Sequence, residues 1–231
     1  MTGIVLQARV GSTRLPAKAL LPLGDSTLVG QAMRRLNLVP AELRVLATDE
    51  ASAASLGPEA EREGFELLVG PAEDVLARYC LAIRRYGIDT LLRATGDNPL
   101  VSHELAARLL EHRAGRPPAA RADYSSYLGM PVGMGVEVVA ATALLRAEAE
   151  ARQASQREHV CPYLYEHPEL FSIDRPEVSP EYFLPGARVT VDTAADYEQV
   201  REAYAALYEG EVIPSIAVMA WLRSRSEGEA V

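Results

Sequence analysis

The chain opens almost at once on IVLQARVGSTRLPAK, residues 4–18, and this stretch decides the fold. Residues 4–8 form a short, largely apolar run of the length of a buried strand, and a loop containing Gly11 follows. A buried strand that leads into such a loop is typical of the first unit of a parallel sheet. We therefore expect an α/β fold that begins with a strand at residues 4–8.

The rest of the first half alternates short strand-like runs with longer helical ones. In residues 27–38, Leu28, Ala32 and Leu36 recur every four positions, which predicts a helix with one apolar face. The same alternation predicts strands at 43–47, 66–69 and 90–94 and helices at 51–64, 72–86 and 102–112. This order favours a mixed, mostly parallel sheet with helices on both faces.

The sequence GRPP at residues 115–118 interrupts this alternation. Beyond it, we expect strands within residues 124–139, joined by a glycine-rich turn. The remaining predictions are helices at 141–153, 158–166, 194–207 and 214–223, a strand at 187–191 and a frayed tail at 224–231. We interpret the chain as a single domain, residues 1–231, in which an inserted segment at about 118–185 is a lid or dimerisation element.

The composition disfavours several classes of protein. A net charge of -9 argues against general binding to nucleic acid or to a membrane surface, although it is compatible with a local basic pocket. Two cysteines and no CxxC motif argue against a disulfide framework and a structural zinc site. The N-terminus has no signal-peptide pattern, and no segment reaches the ~18 apolar residues of a membrane span. We therefore expect a cytoplasmic protein.

Lys18 is the only lysine among 23 basic residues, and it lies in the loop after the first strand. A flexible ammonium is a common point-charge ligand of phosphate, unlike the planar guanidinium of arginine. The loop contains the parts of a phosphate cradle, namely the cations Arg9, Arg14 and Lys18 with Gly11, Ser12 and Thr13. Three cations suit a triphosphate better than one carboxylate. The loop matches neither GxxxxGK[ST] nor GxGxxG, and the alternative interpretation is a solvated basic turn.

Asp97 and Asp192 are the candidate metal ligands. Each follows a predicted strand, and ligands of open α/β sheets gather at the carboxyl ends of the strands. Mg²⁺ takes one or two carboxylates together with phosphate oxygens and water, so this pair beside a phosphate cradle indicates nucleotidyl transfer. The alternative is that both aspartates are helix caps, since each precedes a predicted helix.

Six segments in order along the chain resemble one family of enzymes. Besides residues 4–18, the matching segments are GPAEDVLARY (70–79), RATGDNPL (93–100), PVGMGVE (131–137), REHVCPY (157–163) and RVTVDTAAD (188–196). Together they resemble the acylneuraminate cytidylyltransferases, which activate acidic sugars, and in particular the branch of spore coat polysaccharide biosynthesis. The motifs span nearly the whole chain.

The resemblance implies a Rossmann-like, GT-A-type nucleotide-diphospho-sugar transferase fold. It also implies that the backbone from Leu6 to Arg9 contacts cytosine. The implied nucleotide-binding residues are Leu6, Ala8, Arg9, Gly11, Ser12, Arg14, Lys18, Arg93 and Thr95. The implied catalytic residues are Arg14, Lys18 and Asp97, and the implied Mg²⁺ ligands are Asp97 and Asp192. Relatives that activate sialic acid usually carry a second acid where this chain has Thr190, which disfavours sialic acid as the substrate.

The acceptor site is implied less sharply. Glu137, Arg157 and His159 lie where the family binds its sugar, and Arg157 with His159 would meet the acceptor's carboxylate. His159 has the alternative of a partly buried structural histidine. Asp74 and Arg78, one helical turn apart, have the alternative of a surface ion pair.

We hypothesise a Mg²⁺-dependent cytidylyltransferase that transfers CMP from CTP to an acidic sugar or related acid and releases pyrophosphate, in surface polysaccharide or glycoconjugate biosynthesis. The expected partners are CTP, the acceptor and a second copy of the chain, without nucleic acid or membrane. One alternative is a glycosyltransferase on the same fold, which predicts a DxD motif that the chain lacks. Others are a nucleotidyltransferase for a different nucleotide or acceptor, and a non-catalytic partner subunit.

Overall fold

A seven-stranded sheet forms the centre of the protein in this computed structural model, which describes residues 1–228. The strands are β1 (Thr2–Gln7), β2 (Pro22–Leu23), β3 (Ser26–Thr27), β4 (Leu43–Thr48), β5 (Glu66–Val69), β6 (Thr90–Thr95), β7 (Tyr124–Ser126), β8 (Glu137–Ala140) and β9 (Ile173–Asp174). Their order in the sheet is β5-β4-β1-β6-β8-β7-β9, while β2 and β3 form a separate antiparallel pair.

Helices cover the sheet on both faces. They are α1 (Leu28–Asn37), α2 (Glu50–Glu63), α3 (Val75–Tyr86), α4 (His103–Ala114), α5 (Ala141–Glu150), α6 (Ala154–His159), α7 (Pro162–Glu166), α8 (Ala194–Leu207) and α9 (Ser215–Gly228). Single 3-10 turns lie at Lys18–Leu20, Pro118–Ala120 and Pro180–Tyr182. The predicted α/β class is confirmed.

The four strands β5, β4, β1 and β6 are parallel, so their carboxyl ends lie at one edge of the sheet. Side chains of β1 alternate between its two faces. Ile4 and Leu6 pack into the cluster that contains α1, whereas Val5 packs into the cluster that contains α3. The strand is therefore buried on both sides, as the apolar run at residues 4–8 predicted.

Polar side chains fix where the first four helices begin. Thr27, Asp49, Asp74 and Ser102 are the N-caps of α1, α2, α3 and α4, and each side chain accepts a hydrogen bond from a backbone N–H in the first turn. Such caps satisfy N–H groups that the helix itself leaves unpaired. Because of its cap, α3 starts at residue 75, three residues later than predicted.

The inserted segment changes the direction of the sheet. Strand β8 pairs antiparallel with β6 and with β7, and β9 then pairs parallel with β7. The helix predicted at 158–166 is wrong, because α6 and α7 are separated at Val160, where φ is 75° and ψ is -60°. The N–H of Cys161 donates to the carbonyl of His159 at 2.9 Å, which makes this break a tight γ-turn. Helix α5 ends at Glu150, short of the predicted residue 153.

The strand predicted at residues 187–191 is also wrong. The segment is extended but has only an isolated bridge, between Val132 and Arg188, among the described residues. The reason is that β8 occupies the side of β6 where a further parallel strand would pair. The segment instead crosses the carboxyl edge, where the N–H of Val189 donates to Val132 and that of Val191 donates to the carbonyl of Asp97, at 2.7 and 2.9 Å.

The last two helices pack with this crossing segment in a third apolar cluster, which includes Val191, Val200 and Val218. Helix α9 continues five residues beyond the predicted end at 223, so the predicted fraying is wrong for 224–228, and residues 229–231 lie outside the described part. None of the helices in residues 1–228 has the length and apolar character needed to cross a membrane.

Candidate active site

A cleft of about 310 Å³ opens at the carboxyl edge of the parallel strands. Its floor is the end of β1 and the turn after β6, and one wall is the loop that follows β1. The opposite walls come from the start of α3 and the end of α6. Its lining residues are Gln7, Ala8, Arg9, Gly11, Ser12, Thr13, Arg14, Lys18, Ala19, Val75, Arg78, Thr95, Gly96, Asp97, Glu158, His159 and Asp192.

Lys18 lies at the centre of the charged groups in this cleft. Its ammonium Nζ lies 3.2 Å from Asp97 Oδ2 and 3.0 Å from Asp192 Oδ1, and it donates to the carbonyl of Val191 at 2.7 Å. The preceding residue, Ala17, has left-handed backbone angles, φ 54° and ψ 26°. This conformation is unfavourable for a residue with a Cβ, so the surrounding structure holds Ala17 there and directs Lys18 inward.

The structure brings Asp97 and Asp192 together, and neither is a helix cap. Ser102 caps α4 and Thr193 caps α8, which removes the alternative interpretation of both aspartates. Asp97 follows β6 as predicted. Asp192 reaches the same point from the crossing segment, which the Val191 N–H holds against the carbonyl of Asp97.

The Asp192 carboxylate is surrounded by cations. Besides Lys18, Arg14 Nη2 lies 3.2 Å from Oδ1 and Arg188 Nη2 lies 3.3 Å from Oδ2. Burial acts to raise the pKa of Asp192, but the hydrogen bond and charge of Lys18, with the charges of Arg14 and Arg188, outweigh it. The pKa of Asp192 therefore lies below its usual value, and the group is ionised at neutral pH.

The donors at this point fit a hard divalent cation. Two carboxylates converge on one ammonium, and carboxylate oxygens are the protein ligands that Mg²⁺ prefers. Within the described residues, no group of three or more His, Cys, Asp and Glu side chains is placed to hold a metal. A cation held by Asp97 and Asp192 would therefore need further oxygens, which nucleotide phosphates and water supply.

The loop after β1 presents its remaining cations to solvent. Arg9 and Arg14 are exposed, and a Cβ built on Gly11 would meet no atom within 4 Å. Gly11 is therefore free of steric contact with the protein, and the space beside it belongs to the cleft. Ser12 lines the cleft as well.

Two of the residues predicted to contact the base are placed differently from one another. Leu6 is completely buried within the sheet and does not line the cleft. Ala8 does line it, but its N–H donates to Ala47 and its carbonyl accepts from the Thr48 hydroxyl, at 3.2 and 2.8 Å. These backbone groups are already paired.

A second cavity of about 250 Å³ adjoins the first and shares Thr95 with it. It contains Arg93, which we predicted for the nucleotide, and Glu137, which we predicted for the acceptor. These residues face each other on β6 and β8 and form an ion pair. The Tyr124 hydroxyl donates to Glu137 at 2.7 Å, and burial with the nearby charge of Glu137 raises the pKa of this hydroxyl.

The two residues predicted to meet the acceptor's carboxylate are separated. His159 is exposed at the cleft, beside the γ-turn. Arg157 lines neither cavity, because its guanidinium is held by the Asp74 carboxylate at 2.5 Å and by the carbonyls of Glu148 and Ala151. Its position gives no support to acceptor binding and indicates that Arg157 fastens α6 to the start of α3.

The suggested pair of Asp74 and Arg78 is not formed. Arg78 donates to the carbonyls of Pro71 and Ala72 and lines the cleft. The sequence predicted a role for the backbone of Gln7 but none for its side chain, and none for Glu158 or Arg188, although these residues line the cleft or contact Asp192. Gln7 and Arg188 lie inside the recognised motifs, so position within a motif was the available signal.

A family model described as cytidylyltransferase matches residues 3–217. The chain is 31% identical over 212 residues to the spore coat polysaccharide biosynthesis protein SpsF of Bacillus subtilis, covering 87% of this chain and 85% of that protein.

Solved structures show the same fold. A cytidylyltransferase from Leptospira borgpetersenii superposes with a TM-score of 0.89 at 27% identity, covering 98% of this chain and 95% of that one. A CMP:2-keto-3-deoxy-manno-octonic acid synthetase complexed with CTP superposes with a TM-score of 0.69 at 18% identity, covering 89% and 98%. The predicted Rossmann-like nucleotidyltransferase fold is confirmed.

Proposed function

Since this chain belongs to the cytidylyltransferase family and is a nucleotidyltransferase, we propose that it transfers CMP from CTP to an acidic sugar or a related acid, releases pyrophosphate, and serves surface polysaccharide or glycoconjugate biosynthesis. The observation that carries the proposal is the convergence of Lys18, Asp97 and Asp192 beside the basic loop. Two carboxylates that can hold a metal ion, next to a cation that can bind phosphate at one edge of a sheet, suit the transfer of a nucleotidyl group.

The loop residues bind and orient the triphosphate. Arg9 and Arg14 are exposed cations and Ser12 supplies a hydroxyl, all at the rim of the cleft. The acceptor hydroxyl attacks the α-phosphorus of CTP, a new P–O bond forms, the bond to the pyrophosphate oxygen breaks, and the hydroxyl proton passes to solvent water. Arg14 and Lys18 then stabilise the negative charge that develops on pyrophosphate, so the protein contributes mainly positioning and electrostatics.

Asp97 and Asp192 would hold Mg²⁺. When bound, the ion neutralises phosphate charge and polarises the reacting phosphorus. Mg²⁺ and the Lys18 ammonium would compete for Asp97 and Asp192, because the ammonium contacts the same two carboxylates. We propose that Lys18 exchanges these carboxylates for phosphate oxygens when the nucleotide and cation bind.

The acceptor would occupy the second cavity. Thr95 is common to both cavities, so an acceptor there is adjacent to the nucleotide. The Arg93 Nε is buried without a hydrogen-bond partner among the described residues, and Glu137 lies beside it. The Arg93 guanidinium suits the carboxylate of an acidic acceptor and Glu137 suits its hydroxyl groups, with His159 contributing from the cleft.

The inserted segment is the proposed dimer interface. Five exposed large apolar side chains lie within residues 118–185, namely Leu128, Val132, Tyr165, Leu170 and Phe183. A second copy of the chain that covered these side chains would remove apolar surface from water, which favours association.

The test is an assay for pyrophosphate with CTP, UTP, ATP and GTP, Mg²⁺ and a panel of sugar acids. We expect release that needs CTP, the cation and an acidic acceptor, with CMP-linked product in equal amount. Asp97→Asn should abolish release, and Asp89→Asn, an exposed aspartate at the amino end of β6, is the control. Release from Asp97→Asn at the wild-type rate would contradict the metal role, and the absence of release with every pair of substrates would contradict the function.

A further inference from the structure

One polar side chain at the floor of the cleft has no partner in the protein. Gln7 is the last residue of β1, and its side-chain oxygen Oε1 is buried without a hydrogen-bond partner among the described residues. Alternation along β1 places Gln7 on the same face as Val5, toward α3. There it lines the cleft beside Val75 and Arg78.

The neighbouring polar groups are already paired. Arg78 donates to Pro71 at 2.6 Å and to Ala72 at 2.8 Å, and the backbone carbonyl of Gln7 accepts from the N–H of Gly96 at 2.7 Å. A buried amide oxygen without a partner is unfavourable, and native structures keep few of them. The Gln7 amide forms no hydrogen bond with the protein in residues 1–226, whose side chains the structure describes. It can therefore turn about its terminal bond without breaking a hydrogen bond.

We propose that the Gln7 side-chain amide binds the hydrogen-bonding edge of the pyrimidine base of the nucleotide. The inference rests on the proposed function, because it takes the cleft to hold a nucleoside triphosphate. An amide presents one acceptor and one donor side by side. Cytosine presents its exocyclic amine as donor and N3 as acceptor, and uracil presents N3–H as donor and O4 as acceptor. Either edge can therefore form a pair of parallel hydrogen bonds with the amide once it has turned about its terminal bond.

The distribution of charge separates the base from the phosphates. Lys18 and Arg14 occupy the side of the cleft near Asp192, where a triphosphate is neutralised. Gln7 instead lines the cleft with the apolar side chain of Val75 and with Arg78, whose guanidinium is occupied by the carbonyls of Pro71 and Ala72. A neutral amide next to an apolar wall suits a neutral aromatic ring and would contribute little to a phosphate.

The side chain is favoured over the backbone at this end of β1. The N–H and carbonyl of Ala8 are both engaged, with Ala47 and Thr48, and the carbonyl of Gln7 is engaged with Gly96. Recognition through the Ala8 N–H would require breaking a hydrogen bond of the sheet edge, and the two carbonyl oxygens each already accept one hydrogen bond. Recognition through the Gln7 amide supplies a partner to an oxygen that lacks one.

Equilibrium binding of CTP, UTP and inorganic pyrophosphate tests the proposal without knowledge of the acceptor. Titration calorimetry with Mg²⁺ is applied to wild type, Gln7→Leu and Gln7→Glu. The control is Asn37→Leu, which removes an exposed amide on α1 outside the cleft.

We expect Gln7→Leu to weaken CTP and UTP binding alike, about 10- to 100-fold, and to leave pyrophosphate binding unchanged. Gln7→Glu retains an acceptor for the cytosine amine but offers no donor to cytosine N3, so it should also weaken CTP binding. Asn37→Leu should match wild type with all three ligands.

An unchanged affinity for CTP in Gln7→Leu would overturn the proposal, as would an equal loss of CTP and pyrophosphate binding. Pyrophosphate binding also reports that each variant is folded. If wild-type protein binds CTP but the affinity does not respond to Gln7, only this inference fails. If wild-type protein binds no nucleotide, the proposed function fails with it.

Discussion

Two charged groups at the same edge of the sheet are held in different ways. Lys18 lies between two aspartates, and Arg93 lies beside one glutamate. The side chains of both cations are 16% exposed. Arg93 meets Glu137 because the two residues are paired across neighbouring strands. Lys18 instead meets Asp97 and an aspartate that the crossing segment supplies, and its own position depends on a loop.

This difference indicates which charges can change partner. A pair set by strand register cannot separate without disturbing the sheet, so Arg93 and Glu137 form a fixed wall of the second cavity. Contacts made between loops can be exchanged for those of a ligand at lower cost. We therefore regard the group around Lys18 as the responsive part of the site. The two cations are equally buried, so burial does not show which of them can change partner. The strand or loop that carries each cation does show it.

The largest effect is expected when the fixed pair of Arg93 and Glu137 is broken. Arg93→Met leaves Glu137 without its cation, and we expect a loss of about 3 kcal/mol in the free energy of unfolding. The matched control is Arg14→Met, whose side chain is 65% exposed and should cost less than about 0.5 kcal/mol. Urea denaturation measures both. Equal losses in the two variants would remove the distinction between a fixed and an exchangeable arginine.

The next effect concerns turnover and the responsive group. Lys18→Ala removes the charge that we propose faces the departing pyrophosphate, and we expect pyrophosphate release to slow about 10²- to 10³-fold. Lys18→Arg should also be slow, because a planar guanidinium fork does not replace a compact ammonium between two carboxylates. Steady-state assays with CTP compare the variants. Wild-type rates in both would exclude Lys18 from phosphate handling.

A smaller effect sharpens the idea of exchange. Without nucleotide, the Lys18 ammonium competes with a divalent cation for Asp97 and Asp192. Removing it in Lys18→Ala should tighten binding of Mn²⁺ about tenfold, because the positive charge next to both carboxylates is lost. Electron paramagnetic resonance of free Mn²⁺ measures the affinity. Lys18→Ala/Asp97→Asn is the control and should lose the gain, and a weaker affinity in Lys18→Ala would contradict competition.

The smallest effect concerns the backbone beside Lys18. Ala17→Gly should stabilise the protein by about 0.5 kcal/mol, because glycine adopts the left-handed conformation without a Cβ penalty. The comparison is Val160→Gly at the γ-turn, where φ is also positive but the side chain is fully buried. There the lost burial should outweigh the relief, giving net destabilisation. Chemical denaturation measures the free energy of unfolding of both variants. A more stable Val160→Gly and a less stable Ala17→Gly would contradict this account of the two positions.

Much of the parallel half could be predicted from the sequence. Buried strands such as β1 give short apolar runs, and the residues that follow consecutive parallel strands must lie at one edge. The proximity of Lys18 and Asp97 follows from that rule alone. For Asp192 the location was right but the reason was wrong. Its segment is extended, and only the antiparallel entry of β8 shows that it cannot join the sheet.

The remaining differences depend on contacts between distant parts of the chain. Arg157 pairs with Asp74, 83 residues away, and no local pattern in REHVCPY shows that its guanidinium is occupied. The break at Val160 is equally invisible, since a β-branched residue there gives no turn signal. Tertiary packing decides both. A motif therefore indicated which residues belong to the site region but not which of them face the cavities.

One measurement tests directly whether Lys18 exchanges its partners. Because the chain contains a single lysine, labelling with [ζ-¹⁵N]lysine gives one side-chain signal in the nuclear magnetic resonance spectrum. We predict that this signal shifts on addition of CTP with Mg²⁺, and on addition of inorganic pyrophosphate, as the ammonium leaves Asp97 and Asp192 for phosphate oxygens. A signal that stays unchanged while calorimetry shows saturation with CTP would contradict the account.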